Sequence, residues 1–168
     1  PAGPGGLVAA LRGVAGIDGT VSFAAGLAGG RDPETPTRVL LGDLALAHDL
    51  GGMVVPALER RPELQIVVMD DSGGGIFETL EPAGVGLEDA FERFFATPVK
   101  LDWAAAASAV GAEFAEAHTL DQLRSALATP PPGLSLVRVP LARAARRGME
   151  ARAVELSRKR LNLPRKLP

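Results

Sequence analysis

LQIVVMDDSGGGIFETL, residues 64–80, decides how this chain is read. Its first part, Leu64–Asp70, is a short run of mostly apolar, β-forming residues closed by an acid, the right length for one strand. Apolar residues fall on both alternating faces, the pattern of a strand covered on two sides. Two adjacent acids, a serine and three glycines follow at once, and IFETL then opens a helix or turn. Glycines let a backbone approach a ligand closely and turn N–H groups toward it. A strand that runs into acids and glycines is built to hold something at its carboxyl end.

Working outward, RVLLGD (residues 38–43) and LSLVRVP (Leu134–Pro140) read as two more strands, the second preceded by a linker of three prolines at 130–132. Residues 113–117 form a further candidate strand. Between them lie helical segments. Asp18 is expected to cap a helix through VSFAAGLA that Gly29 and Gly30 stop. Asp49 is expected to cap another, with Leu50, Val54 and Leu58 on one face and Pro56 inside it. Residues 88–96, 102–110 and Leu120–Ala128 complete the set. The last has Thr119 as cap and Leu120, Leu123 and Leu127 as its apolar face. A C-terminal helix over about residues 142–161 carries Ala142, Ala145, Met149, Ala153 and Leu156 as a packing stripe. Strands alternating with helices predict an α/β fold, a mostly parallel sheet with helices on both faces. Residues 1–11 read as a lead-in and the cut edge of a longer protein, 12–140 as the α/β domain, and 141–168 as a helix with a basic tail.

Composition bounds the function. The 168 residues are 46% hydrophobic and 23% charged, as expected of a globular domain, and contain no Cys. That leaves no disulfide, no thiolate metal site and no cysteine nucleophile, and it fits a reducing cytoplasm. No apolar run approaches the roughly 20 residues of a membrane-spanning helix, and no basic region precedes the first apolar residues. Residues 143–168 hold nine Lys/Arg against two Asp/Glu, so the overall charge of −2 conceals an acidic body and a basic tail. The tail has no aromatic residue for base stacking and reads as a solvated surface rather than a nucleic-acid site.

In parallel α/β sheets ligands gather where loops leave the carboxyl ends of the strands. GD at 42–43 and DDSGGG at 70–75 both follow strands directly. Carboxylates are hard donors suited to Mg²⁺, which usually completes its shell with phosphate oxygens. Asp43, one of Asp70 and Asp71, and a carbonyl of the glycine turn would make a partial shell, with a diphosphate supplying the rest. Singly, each acid could merely cap a turn and the glycines relieve crowding. Together, at two strand ends, they favour a metal–phosphate site. There is no Walker A lysine pattern and no G-x-G-x-x-G. His48 and His118 read as structural.

A GD doublet after a strand, followed some 28 residues later by an acidic turn, resembles the diphosphate-binding motif of thiamine-diphosphate-dependent enzymes. RGVAGIDGTVSFAAG (12–26), GDLALAHDLGGM (42–53), DDSGGGIFETL (70–80) and FERFFATP (91–98), in that order, are similar to the C-terminal domain of the menaquinone-biosynthesis branch of that family. The resemblance covers about residues 11–140. It implies a transferase that decarboxylates 2-oxoglutarate and adds the resulting succinyl carbanion equivalent to isochorismate, using thiamine diphosphate and Mg²⁺ or Mn²⁺. It further implies Asp43, Asp71 and the Gly73 carbonyl as metal ligands, and Gly42, Leu44 and Gly74 along the diphosphate. Ile17 would prop the bent cofactor, Ile76 and Phe77 would wall the substrate, and Arg12 would pair with a substrate carboxylate. The activating glutamate would come from a pyrimidine-binding domain of the same or a partner subunit in a homodimer or homotetramer. No catalytic residue is therefore expected in this chain, and alone it is expected to be inactive. Asp71 stands where many relatives have Asn, adding a negative charge beside the metal, and Leu11 where the branch often has Asn. Two alternatives remain open at this point: an acetolactate-synthase-like carboligase of the same cofactor, and a non-catalytic Mg²⁺-binding α/β module.

Overall fold

A computed structural model describes residues 6–11, 16–32, 34–80, 83, 87–143 and 146–161. Among them four strands form one sheet, all parallel: β1 (Thr37–Gly42), β2 (Leu64–Asp70), β3 (Glu113–Glu116) and β4 (Leu134–Pro140), in the order β1-β2-β4-β3. The two central strands are those with the longest apolar runs, because only they must be covered on both faces.

Alternation divides the core in two. Leu64, Ile66 and Val68 of β2 and Leu134 and Leu136 of β4 face one layer, with Val21, Ala24 and Ala28 of α1 (Thr20–Gly29), Leu46 of α2 (Asp43–His48), and Trp103 and Ala107 of α4 (Trp103–Ala109). Val67, Val137 and Val139 face the other, against Leu123, Ala126 and Leu127 of α5 (Leu120–Ala128). Helices thus cover both faces, as expected. Gln65, a long polar side chain buried mid-strand, is satisfied at both ends: its amide donates to the Ala126 carbonyl at 2.9 Å and its oxygen accepts from Arg38 Nε at 2.7 Å.

Register positions the functional end of the sheet. Gly42 lies opposite Met69, which sets Asp43 level with Asp70, and Asp70 lies opposite Pro140. Three chain segments therefore leave the sheet side by side.

Several local expectations are corrected. Asp43 is not the last residue of β1 but the first of α2, a short helix that the sequence reading did not anticipate. Asp18 does not cap α1. Gly19, at φ 77°, takes that place, and Asp18 lies 3.5 Å from His48. Asp49 caps no long helix either. Its carboxylate accepts from the Ser22 amide (2.8 Å) and hydroxyl (2.7 Å), so it staples α1 to the turn after α2. A side chain at Gly52 would collide with that same Ser22 backbone. The chain makes only a 3-10 turn, Leu50–Met53, before Pro56, and Leu58 is 100% exposed.

Residues 88–96 are helical but change type midway. α3 (Glu88–Phe91) widens into a π-helix over Glu92–Ala96. Asp102, expected as the first residue of its helix, instead precedes α4 and caps it through the Ala105 amide. Thr119 caps α5, as read from the sequence, and does so in a reciprocal box with Gln122. Leu120, however, is exposed, and the inward face of α5 is Leu123, Ala126 and Leu127, each half-buried. The last helix, α6 (Arg146–Arg160), starts later than expected, and its supposed packing stripe faces outward. Met149 is 62% exposed, Leu156 and Ala153 are exposed, Ala142 precedes the helix, and Ala145 lies outside the described residues. α6 meets the body chiefly at the 3-10 segment Gly75–Thr79, too narrow a contact to cover a stripe.

These burials set unequal costs. Ile66→Ala is expected to lower stability by about 2–5 kcal/mol, while Leu156→Ala stays within about 0.5 kcal/mol of wild type. Urea unfolding of both variants checks this. A large loss at Leu156 would mean that α6 is packed in solution.

Candidate functional site

At the carboxyl end of the sheet the chain switches from β1 into α2 at Gly42 (φ −81°, ψ 165°), and Asp43 opens the helix. The Asp43 side chain is only 4% exposed, and its Oδ2 accepts the Gly73 N–H at 2.7 Å. That bond joins the GD turn to the DDSGGG turn, so the two sequence motifs form one site. Burial pushes the Asp43 carboxyl above its ordinary value of 3.8. The Gly73 and Leu44 amides oppose the shift, and the charges of Asp70 and Asp71 add to it. A buried carboxylate beside two other acids is a setting that a divalent cation relieves.

The two adjacent acids have different work. Asp70 is buried and structural. Its Oδ2 accepts from Trp103 Nε1 (3.0 Å) and Arg138 Nε (2.7 Å), and its Oδ1 from the Ser72 amide (3.1 Å). Arg138 in turn bonds Glu116 Oε1 at 2.6 Å, tying β3 into the same network. Asp71 is half-buried and interacts electrostatically with both Asp43 and Arg143. Its position fits a metal ligand better than that of Asp70.

The turn itself is held in unusual backbone geometry. Ser72 sits at φ 62° and Gly73 at φ 126°. A Cβ on Gly73 would run into the Ala96 carbonyl at the end of the π-helix, and that carbonyl accepts the Gly74 N–H at 2.6 Å. The glycines therefore solve a steric problem and shape the site at once. The Gly73 carbonyl accepts the Gly75 N–H at 2.9 Å and keeps a second lone pair.

Beyond the turn, Ile76 is 64% exposed on the 3-10 segment, and Phe77 meets Phe95 edge-on with centroids 6.1 Å apart. Gly74 is buried and Leu44 half-buried beside Asp43. Ile17 and Gly42 line one groove of about 820 Å³ between residues 6–11, α1 and β1. Arg12 lies outside the described residues. His48 and His118 are exposed, each beside one carboxylate, Asp18 and Glu116 respectively. No group of three or more His, Cys, Asp or Glu side chains among the described residues is arranged to hold a metal. The expected shell, with only two carboxylates and a carbonyl, needs none.

The sequence reading missed Trp103, Arg138 and Arg143. A charge inside the otherwise apolar LSLVRVP was a usable signal for Arg138, since a charge in a central strand needs a partner. Arg143 carried no such signal and was counted with the basic tail.

The raised Asp43 carboxyl has a testable sign. The native state binds the proton more tightly than the unfolded chain, so the stability Asp43 contributes is present at low pH and lost as pH rises through its native value. Asn at this position still accepts from Gly73 but carries no charge. Without metal, Asp43→Asn is therefore expected to melt higher than wild type at pH 7, at roughly 2–4 °C for each kcal/mol gained. The gap closes as pH falls toward 3.8. Melting curves across that range decide it, and a gap that does not change with pH would contradict the assignment.

No family model matches the chain. Among curated proteins, a 2-succinyl-5-enolpyruvyl-6-hydroxy-3-cyclohexene-1-carboxylate synthase of Renibacterium salmoninarum is 44% identical over 149 residues, covering 86% of this chain and 26% of that protein. Proteins of the same name from Arthrobacter sp. (strain FB24) and Kineococcus radiotolerans are 42% and 45% identical, over 89% and 79% of this chain and 25% and 23% of theirs. The chain thus spans about a quarter of the length of these relatives. Over most of its length it is a homologue of a domain-sized quarter of the 2-succinyl-5-enolpyruvyl-6-hydroxy-3-cyclohexene-1-carboxylate synthases.

Proposed function

We propose that this chain is the C-terminal, diphosphate-binding domain of a thiamine-diphosphate- and Mg²⁺-dependent synthase that decarboxylates 2-oxoglutarate and adds a succinyl unit to isochorismate. The observation that carries the reading is the Asp43–Gly73 bond, which joins two motif turns at the carboxyl ends of neighbouring parallel strands. The residues fit the group. Asp43, Asp71 and the Gly73 carbonyl would hold Mg²⁺ or Mn²⁺, and the backbone at Gly42, Leu44 and Gly74 would run along the diphosphate. When bound, thiamine diphosphate supplies the carbon centre that takes up a 2-oxo acid and allows loss of CO₂.

The chain's own residues then bind and orient. Asp43, fixed by the Gly73 amide, sets the metal position. Ile17 supports the cofactor from the α1 side, and Ile76 and Phe77, exposed on the 3-10 segment, form a wall that keeps water from the reacting carbon. Arg12 pairs with a substrate carboxylate. The glutamate that activates the cofactor is supplied by a pyrimidine-binding domain of the same or a partner subunit, in a cytoplasmic homodimer or homotetramer. No helix among the described residues is long and apolar enough to cross a membrane.

Calorimetry on this chain tests the reading. Titration with thiamine diphosphate in the presence of Mg²⁺ is expected to release heat beyond that of Mg²⁺ alone. Equal heats would favour a simple cation-binding module. With 2-oxoglutarate and isochorismate the chain alone is expected to show no turnover, and measurable product would remove the need for a second domain.

A further inference from the structure

Arg143 stands three residues beyond β4, where the register brings the chain alongside the acidic turn. The Leu141 amide donates to the Asp70 carbonyl at 2.7 Å, which pins the exit of β4 to the start of that turn. From there the Arg143 side chain, largely buried, reaches three places at once. Its Nε lies 3.3 Å from Glu78 Oε1, one terminal nitrogen donates to the Ser72 carbonyl at 3.3 Å, and the other donates to Glu92 Oε1. Ser72 lies before the glycines, Glu78 lies after them, and Glu92 belongs to the π-helix whose last carbonyl receives the Gly74 amide. One planar fork therefore braces both ends of the turn against the helix behind it.

The turn needs such a brace. Ser72 and Gly73 both have positive φ, and no strand ladder continues through them. Glu92, and then Glu78 and Asp71, strengthen the hold of Arg143 on its proton, while burial opposes them. A fixed positive charge is thus placed near Asp71, with its donors directed at Glu78, Glu92 and Ser72.

We propose that Arg143 is the positioning residue of the cofactor turn: it locks Ser72–Glu78 against the π-helix so that the Gly73 amide meets Asp43 and Asp71 faces the same crevice. The link to cofactor rests on the function proposed above, whereas the bracing of the turn does not.

Amide exchange, urea unfolding and Mn²⁺ uptake in the presence of thiamine diphosphate, read by the spin resonance of free Mn²⁺, test it on this chain. Arg143→Met is expected to speed exchange at Gly73, Gly74 and Phe77 by about tenfold or more, as loss of charge-assisted hydrogen bonds implies. Exchange in β2 and β4 stays as in wild type, and Mn²⁺ affinity drops about tenfold. Arg143→Lys, which keeps the charge without the fork, recovers only part of both effects, and Glu92→Gln shows a smaller change in the same direction. Unaltered exchange in the turn would overturn the proposal. So would equal acceleration in β2 and β4, which marks a general loss of stability, or faster exchange in the turn with unchanged Mn²⁺ affinity. If wild type takes up no Mn²⁺ with the cofactor, the proposed function fails, and the exchange data alone decide whether Arg143 braces the turn.

Discussion

The hydrogen bond from the Gly73 amide to Asp43 is the constraint on which the site depends. It requires β1 and β2 to be parallel neighbours in a register that ends them together, and it requires Gly73 to adopt a φ that other residues resist. It also holds a carboxylate in a buried place among other acids, where the charge is costly without a counter-ion. Around this bond the structure adds supports from elements distant in sequence. Trp103 and Arg138 fix Asp70, the end of the π-helix receives Gly74, and Arg143 ties the turn down from the far side of β4.

Much of this was legible in the sequence, for physical reasons. β2 and β4 are buried on both faces, so their mostly apolar runs match the observed strands residue for residue. The capping residue Thr119 was legible because capping is local chemistry between a side chain and an amide two or three residues on. The two motif turns were recognisable because acids and glycines have few other reasons to follow a strand. The choice of Asp71 over Asp70 as candidate ligand came from resemblance, and the structure shows Asp70 engaged by Trp103 and Arg138.

The misreadings share one cause. Asp18 and Asp49 both have the right residue type for a helix cap, but each has a partner 27 or more residues away in sequence, His48 or Ser22. Helical spacing at Leu50, Val54 and Leu58 was likewise overruled by the glycines and Pro56. The apolar stripe of α6 has correct periodicity yet packs on little, because periodicity reports a face and not what covers it. Arg143 is the opposite case. It looks like one more basic tail residue, and its role appears only when β4 is seen beside β2.

The most direct measurement of the central claim is the phosphorus resonance of thiamine diphosphate mixed with this chain and Mg²⁺. If Asp43 and the Gly73 turn hold the metal–diphosphate unit, the terminal phosphorus signal shifts and broadens with wild type, and the effect requires both Mg²⁺ and the Asp43 carboxylate. It disappears in Asp43→Ala. A signal that wild type leaves unchanged, or an effect that persists without Mg²⁺ or in Asp43→Ala, would contradict the account.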